Sequence, residues 1–224
     1  MTNANDQSAA GFGLPDSAVA VAARRLTYDV SPEVIYNHSV RSYVFARELL
    51  TVDGMPDDHD DELLFLSCIL HDLGATDHAD GDQRFEVDGA DAAARFLSAH
   101  DVDPTRIDTA WTAIVLHTSV GVAHRFGAIP AAAQMGIAAD IVGARRDAIT
   151  EGFAERVHAA WPRHDLGRAF VEIIADQVDR NPAKAPPLTL PAHLHALQHP
   201  TRPSTSWWNL VDAAGWNDRS RPSP

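Results

Sequence analysis

The sequence predicts an all-α fold, on three observations. Apolar residues recur at helical spacing in segment after segment, as in Val34, Ile35, His38, Tyr43, Phe45, Ala46 and Leu49. Helix-start chemistry stands in front of such segments: Ser31-Pro32-Glu33 and Asp103-Pro104 each put a side-chain acceptor before a proline whose fixed φ suits the first helical turn. No stretch keeps the alternation of a half-buried strand, and no period repeats along the chain.

Each element has its own signal. Residues 1–12 are polar and small and read as a flexible tail. A short helix over 19–26 is expected behind Asp16 as cap. Ser31-Pro32-Glu33 opens a helix running to about Leu50, followed by an acidic loop. Asp60 or Asp61 caps the next, Leu63-Leu64-Phe65-Leu66-Ser67-Cys68-Ile69-Leu70, which is apolar all round and therefore central, with Gly74 as its stop. A loop over 75–84 leads to a helix over 88–100. Asp103-Pro104 starts one carrying Ile107, Trp111, Ile114, Val115 and His117, and Pro130 starts one reaching Ile141. Two more are expected over 149–161 and 166–179. These segments, residues 13–182, read as one globular helical bundle. Residues 183–224 read as an extension packing on it. There His193, His195 and His199, interleaved with proline and alanine, look like a solvated tail, and Trp207-Trp208 look like core packing before a last short helix.

Composition narrows the function classes. Apolar residues make up 45% of the 224 and charged residues 22%, the balance of a globular domain. The net charge of −13 repels phosphate backbones, and the only basic pairs, Arg24-Arg25 and Arg145-Arg146, sit on expected helix surface, so no nucleic-acid partner is expected. The N-terminus lacks the pattern of a secretory signal, no run is long enough for a membrane span, and the lone Cys68 sits in an apolar run as a buried thiol. A cytoplasmic protein with no membrane partner is the expectation; assembly into a homo-oligomer is left open.

The chemistry-bearing residues fall where burial is expected. His71-Asp72 end the apolar helix, and a carboxylate at the edge of a core is costly unless something offsets it. His38 lies in the first long helix, Asp140 inside Ile137-Ala138-Ala139-Asp140-Ile141-Val142, and His117 at the end of Ile114-Val115-Leu116. One shared divalent cation accounts for all of these more simply than separate explanations do. The expected metal residues are His38, His71, Asp72 and Asp140, with zinc first and Fe2+ or Mn2+ next, since imidazole and carboxylate suit all three ions.

At these residues the chain resembles the HD superfamily of metal-dependent hydrolases, whose H…HD…D signature matches His38, His71-Asp72 and Asp140. Within it, Asn37-His38-Ser39-Val40-Arg41-Ser42, Leu70-His71-Asp72-Leu73-Gly74, Arg84-Phe85-Glu86-Val87-Asp88-Gly89-Ala90-Asp91-Ala92 and Trp111-Thr112-Ala113-Ile114-Val115-Leu116-His117-Thr118 look like the cyanamide hydratase branch. The likeness runs over about residues 31–186. Phosphohydrolase members often carry H-D-x-G-K; this chain has Ala75 at the lysine position. Dinuclear members place a histidine where this chain has Phe85, which points to a single metal.

The resemblance implies an HD-domain bundle that hydrates a cyanamide-type N≡C bond, cyanamide itself giving urea. A small uncharged substrate is then the partner, and an HD phosphohydrolase acting on a nucleotide or other phosphomonoester is the alternative. Asp72 and His117 are the expected catalytic residues, His117 as the imidazole that assists proton movement. Asn37, Phe85, Glu86 and Thr118 are the expected pocket.

Overall fold

The computed structural model describes residues 11–54 and 59–216. Most of the expected N-terminal tail, and part of the acidic loop before Asp60, lie outside these residues. Among the described residues there are ten α-helices and no strand. In chain order they are α1 (Ala18–Val30), α2 (Glu33–Val52), α3 (Asp61–Leu70), α4 (Phe85–Ala99), α5 (Pro104–Leu116), α6 (Ala128–Val142), α7 (Phe153–Ala160), α8 (Leu166–Arg180), α9 (Leu190–Gln198) and α10 (Trp207–Ala213). None is long and apolar enough to cross a membrane.

The middle of the bundle is α3. Leu63 to Leu70 are all buried, which a helix apolar on every side requires. Its start is set by Asp60, whose side chain accepts from the Leu63 amide, and by Tyr43, whose hydroxyl donates to Asp61 at 2.7 Å from α2. Cys68 is fully buried, and burial pushes its thiol pKa up, as expected of a thiol used for packing. Truncating Leu66 or Leu70 to alanine would cost about 2–5 kcal/mol, the range for buried leucines.

Two close crossings position the site. Helices α2 and α6 meet at Gly136, where an added Cβ would fall 2.1 Å from the Ser42 carbonyl oxygen. The turn after α3 meets α4 at Gly74 and Gly89; a Cβ on Gly74 would fall 1.9 Å from the Phe85 carbonyl oxygen. Gly74 therefore serves backbone contact with α4. The helix itself ends earlier, with His71 as its C-cap, and Leu73–Ala75 continues as a 3-10 turn. Gln177 of α8 secures that turn by donating to the Gly74 carbonyl at 2.9 Å.

Several boundaries differ from the sequence expectation. Ser17 rather than Asp16 caps α1, accepting from the Ala20 amide. Helix α4 begins three residues early at Phe85, which is buried at 1% exposure. Phe12 does not behave as tail: its ring lies 5.2 Å from Trp161 and 6.1 Å from Phe153. The clearest correction is at the C-terminal end. His193, His195 and His199 lie on or directly after a helix, α9, whose Pro191 and Leu194 are buried. Trp207 and Trp208, expected in the core, are 59% and 69% exposed on α10. None of the seven residues of that helix is buried.

Candidate metal centre

His38, His71, Asp72 and His117 come together from α2, the end of α3 and the end of α5. Their exposures are 1%, 0%, 2% and 6%. The tautomers follow from the partners of the Nδ1 atoms. His71 Nδ1 lies 2.7 Å from the Cys68 carbonyl and His117 Nδ1 2.6 Å from the Ile114 carbonyl. A carbonyl only accepts, so both Nδ1 atoms carry hydrogen. His38 Nδ1 lies 2.7 Å from an Asp140 carboxylate oxygen and carries one for the same reason. All three Nε2 atoms are thereby left with lone pairs.

Those lone pairs face one carboxylate. His71 Nε2 is 3.1 Å and His38 Nε2 3.7 Å from Asp72 Oδ2, while His117 Nε2 is 3.7 Å from Asp72 Oδ1. His38 Nε2 and His71 Nε2 are 3.3 Å apart. Neither Asp72 oxygen receives a hydrogen bond, although both are buried. Acceptors converging without donors are an electrostatic fault that a cation corrects. His38, His71 and Asp72 each offer one atom within 4.8 Å of the others, so the donor set fits a divalent metal.

Without an ion, the pKa directions show the imidazoles themselves offsetting the Asp72 charge. Burial alone would raise the Asp72 carboxyl, but the charges of His71 and His38 hold it well below the usual carboxylate range. Burial works against a charged His71, yet Asp72 beside it wins and shifts that imidazole upward. His117 is pushed down to about 4, by burial and then by His71, so it is neutral near pH 7.

Asp140, expected as a fourth metal residue, stands at the other ring nitrogen of His38. Arg41 grips it with two hydrogen bonds of 2.8 Å, and Arg163 adds one of 3.0 Å. The sequence reading gave Arg41 and Arg163 no role. A fully buried arginine three residues after His38 was the available signal, because such a charge needs a carboxylate and Asp140 is the buried one within reach. Arg41 also donates to the Trp161 and Pro162 carbonyls at 3.0 Å. The carboxylate–histidine pair is the arrangement that orients metal-binding imidazoles.

The expected pocket residues divide. Phe85 stacks edge-on against His117 with centroids 5.6 Å apart and against Phe170 at 5.7 Å. Thr118 donates to Glu86 at 2.7 Å, and Glu86 also pairs with Arg84, so these three form one polar cluster beside the His117 turn. Asn37 turns elsewhere: its amide donates at 3.0 Å to the Pro162 carbonyl shared with Arg41. His78 is on the surface.

No curated protein matches the chain. A family model does: that of the HD domain matches residues 35–149, about half the chain. The match spans His38, His71-Asp72, His117 and Asp140. The chain belongs to the HD domain family, a family of metal-dependent hydrolases.

Proposed function

We propose that this HD protein is a single-metal hydratase for a small uncharged nitrile-type substrate, converting cyanamide to urea. The observation that carries the reading is the buried Asp72 carboxylate, free of hydrogen bonds and faced by the Nε2 lone pair of a neutral His117. His38, His71 and Asp72 would hold one ion, zinc by preference, leaving the side toward His117 open. When bound, such an ion supplies a Lewis acid and lowers the pKa of water toward neutrality.

The remaining chemistry falls to His117. With Nδ1–H committed to Ile114, its Nε2 can only accept. It takes a proton from a water placed beside Asp72 as the water oxygen bonds to the nitrile carbon and one C–N π pair moves onto nitrogen. The same imidazole then returns the proton to that nitrogen, and the isourea tautomerises to urea. Phe85 fixes the His117 ring edge and keeps bulk water from it.

Size and charge support this substrate class. Exposures of 6% or less keep the four central residues out of bulk solvent, a setting that suits a small uncharged substrate. The nearby cations are spent: Arg41 and Arg163 on Asp140, Arg84 on Glu86, Lys184 on Asp88 and Asp80. Among the described residues, these pairings leave a phosphate ester little counter-charge there. The family assignment itself favours the second reading, an HD phosphohydrolase acting on a nucleotide or phosphomonoester. A substrate panel decides: urea release from cyanamide, amide release from small nitriles, and phosphate release from nucleotides and a generic phosphomonoester. Phosphate release without hydration would reject the proposal.

A further inference from the structure

The C-terminal region brings together a second set of metal-binding side chains that the hydration chemistry does not use. His195 and His199 stand one helical turn apart at the end of α9, with ring centroids 4.7 Å apart. Both Nε2 atoms aim at one carboxylate of α8. His195 Nε2 lies 3.0 Å from Asp179 Oδ1 and His199 Nε2 2.8 Å from Asp179 Oδ2. One atom from each of the three residues lies within 4.8 Å of the others.

Arg202 is the fourth member. Its Nη1 lies 2.5 Å from Asp179 Oδ1 and 3.5 Å from His195 Nε2. Guanidinium only donates. If His195 Nε2 accepts from Arg202, it has no hydrogen to give Asp179. If it donates to Asp179, it shares that oxygen with Arg202, and a carboxylate oxygen can accept both. A divalent ion would take the Nε2 lone pairs of both rings and one carboxylate oxygen at once.

We propose that Asp179, His195 and His199 form a second divalent-metal site for a first-row transition ion such as Zn2+ or Ni2+, displacing Arg202. Two imidazoles select such ions over Mg2+ or Ca2+. Two histidines at i and i+4 on one helix face are a spacing that suits a single ion. Arg202 is 56% exposed at its side chain, so it can swing into water when displaced. His195, His199 and Arg202 also line a cleft of about 490 Å³, from which water or an added donor can complete the coordination. Occupancy would fasten α9 to α8, whose Phe170 supports Phe85. The site is half-exposed and competes with a resident cation, so it binds more weakly than the buried centre.

Zn2+ is the probe, followed by calorimetric titration, metal content and thermal melting. The full chain should bind one equivalent tightly and a second more weakly, and the second should raise Tm further. His195→Ala/His199→Ala should lose the second equivalent and its Tm increment while keeping the first. Asp179→Asn should reproduce that loss without touching either ring, and Arg202→Ala should tighten the second equivalent. Asp72→Asn should lose the first and keep the second, so failure of the buried centre is distinguishable from failure here. A wild-type chain that stops at one equivalent, or variants of all three residues that still bind two, would overturn the proposal.

Discussion

The Nε2 atoms of His38 and His71 face each other 3.3 Å apart while both of their Nδ1 hydrogens are already committed, one to Asp140 and one to the Cys68 carbonyl. Neither ring can hydrogen-bond the other in its neutral form. The approach makes sense as two donors awaiting one ion.

Asp72 and Asp140 should therefore differ in kind. Asp72→Asn removes an anionic donor and should abolish tight metal binding. Asp140→Asn keeps an acceptor near His38 Nδ1 but loses the charge, and should weaken affinity by roughly 10–100-fold, the range for partners of metal-bound histidines. Competition with a chromophoric chelator separates the two. Equal loss in both variants would return Asp140 to direct coordination.

Arg41 should matter to stability more than its distance from the ion suggests. Arg41→Met would leave Asp140 buried beside His38, Arg163 and the more distant His158, and breaking a buried pair of this kind costs about 3–5 kcal/mol. Chemical denaturation of the metal-free protein measures it. Combining Arg41→Met with Asp140→Asn should recover part of the loss, because the orphaned charge is gone.

His117→Ala should leave the tight metal equivalent in place and lower kcat by roughly 10²–10⁴-fold, the usual contribution of a proton-transferring side chain. KM should change less, because proton transfer belongs to the transition state. Loss of the metal would make His117 a ligand; unchanged kcat would make it a packing residue.

The same residue sets a pH dependence in metal-free protein. Its folded pKa of about 4 lies below the unfolded value of 6.5, so between them the unfolded chain binds more protons. His117 thus contributes stability that is fully present above about 6.5 and is lost as pH falls toward about 4. Thermal melts across that window should show a shallower decline for His117→Gln than for wild type. Parallel curves would contradict the burial of a neutral imidazole.

How much of this was legible in the sequence depended on whether the signal was local. Helix α3 could be read because a run of eight residues, seven of them apolar, followed an aspartate cap, and His71-Asp72 because they ended that run. His38 and His117 were readable as imidazoles in apolar company. The role of Asp140 was not, since it depends on Arg41 beside it and on Arg163 and Trp161, which arrive from beyond α7. Helix α9 was hidden by composition. Prolines and histidines read as tail, although Pro191 in the first turn is compatible with a helix start. His195 and His199 acquired a partner only when α9 folded back onto Asp179.

The most direct test of the central claim is anomalous diffraction at the metal edge from crystals of the metal-loaded protein. The account predicts a peak within about 2.0–2.2 Å of His38 Nε2, His71 Nε2 and an Asp72 oxygen, the distances of zinc to imidazole and carboxylate. Asp140 should still be held by Arg41, and the open coordination should face His117. No peak among those three residues, or a peak coordinated by Asp140 with its Arg41 pair broken, would contradict it.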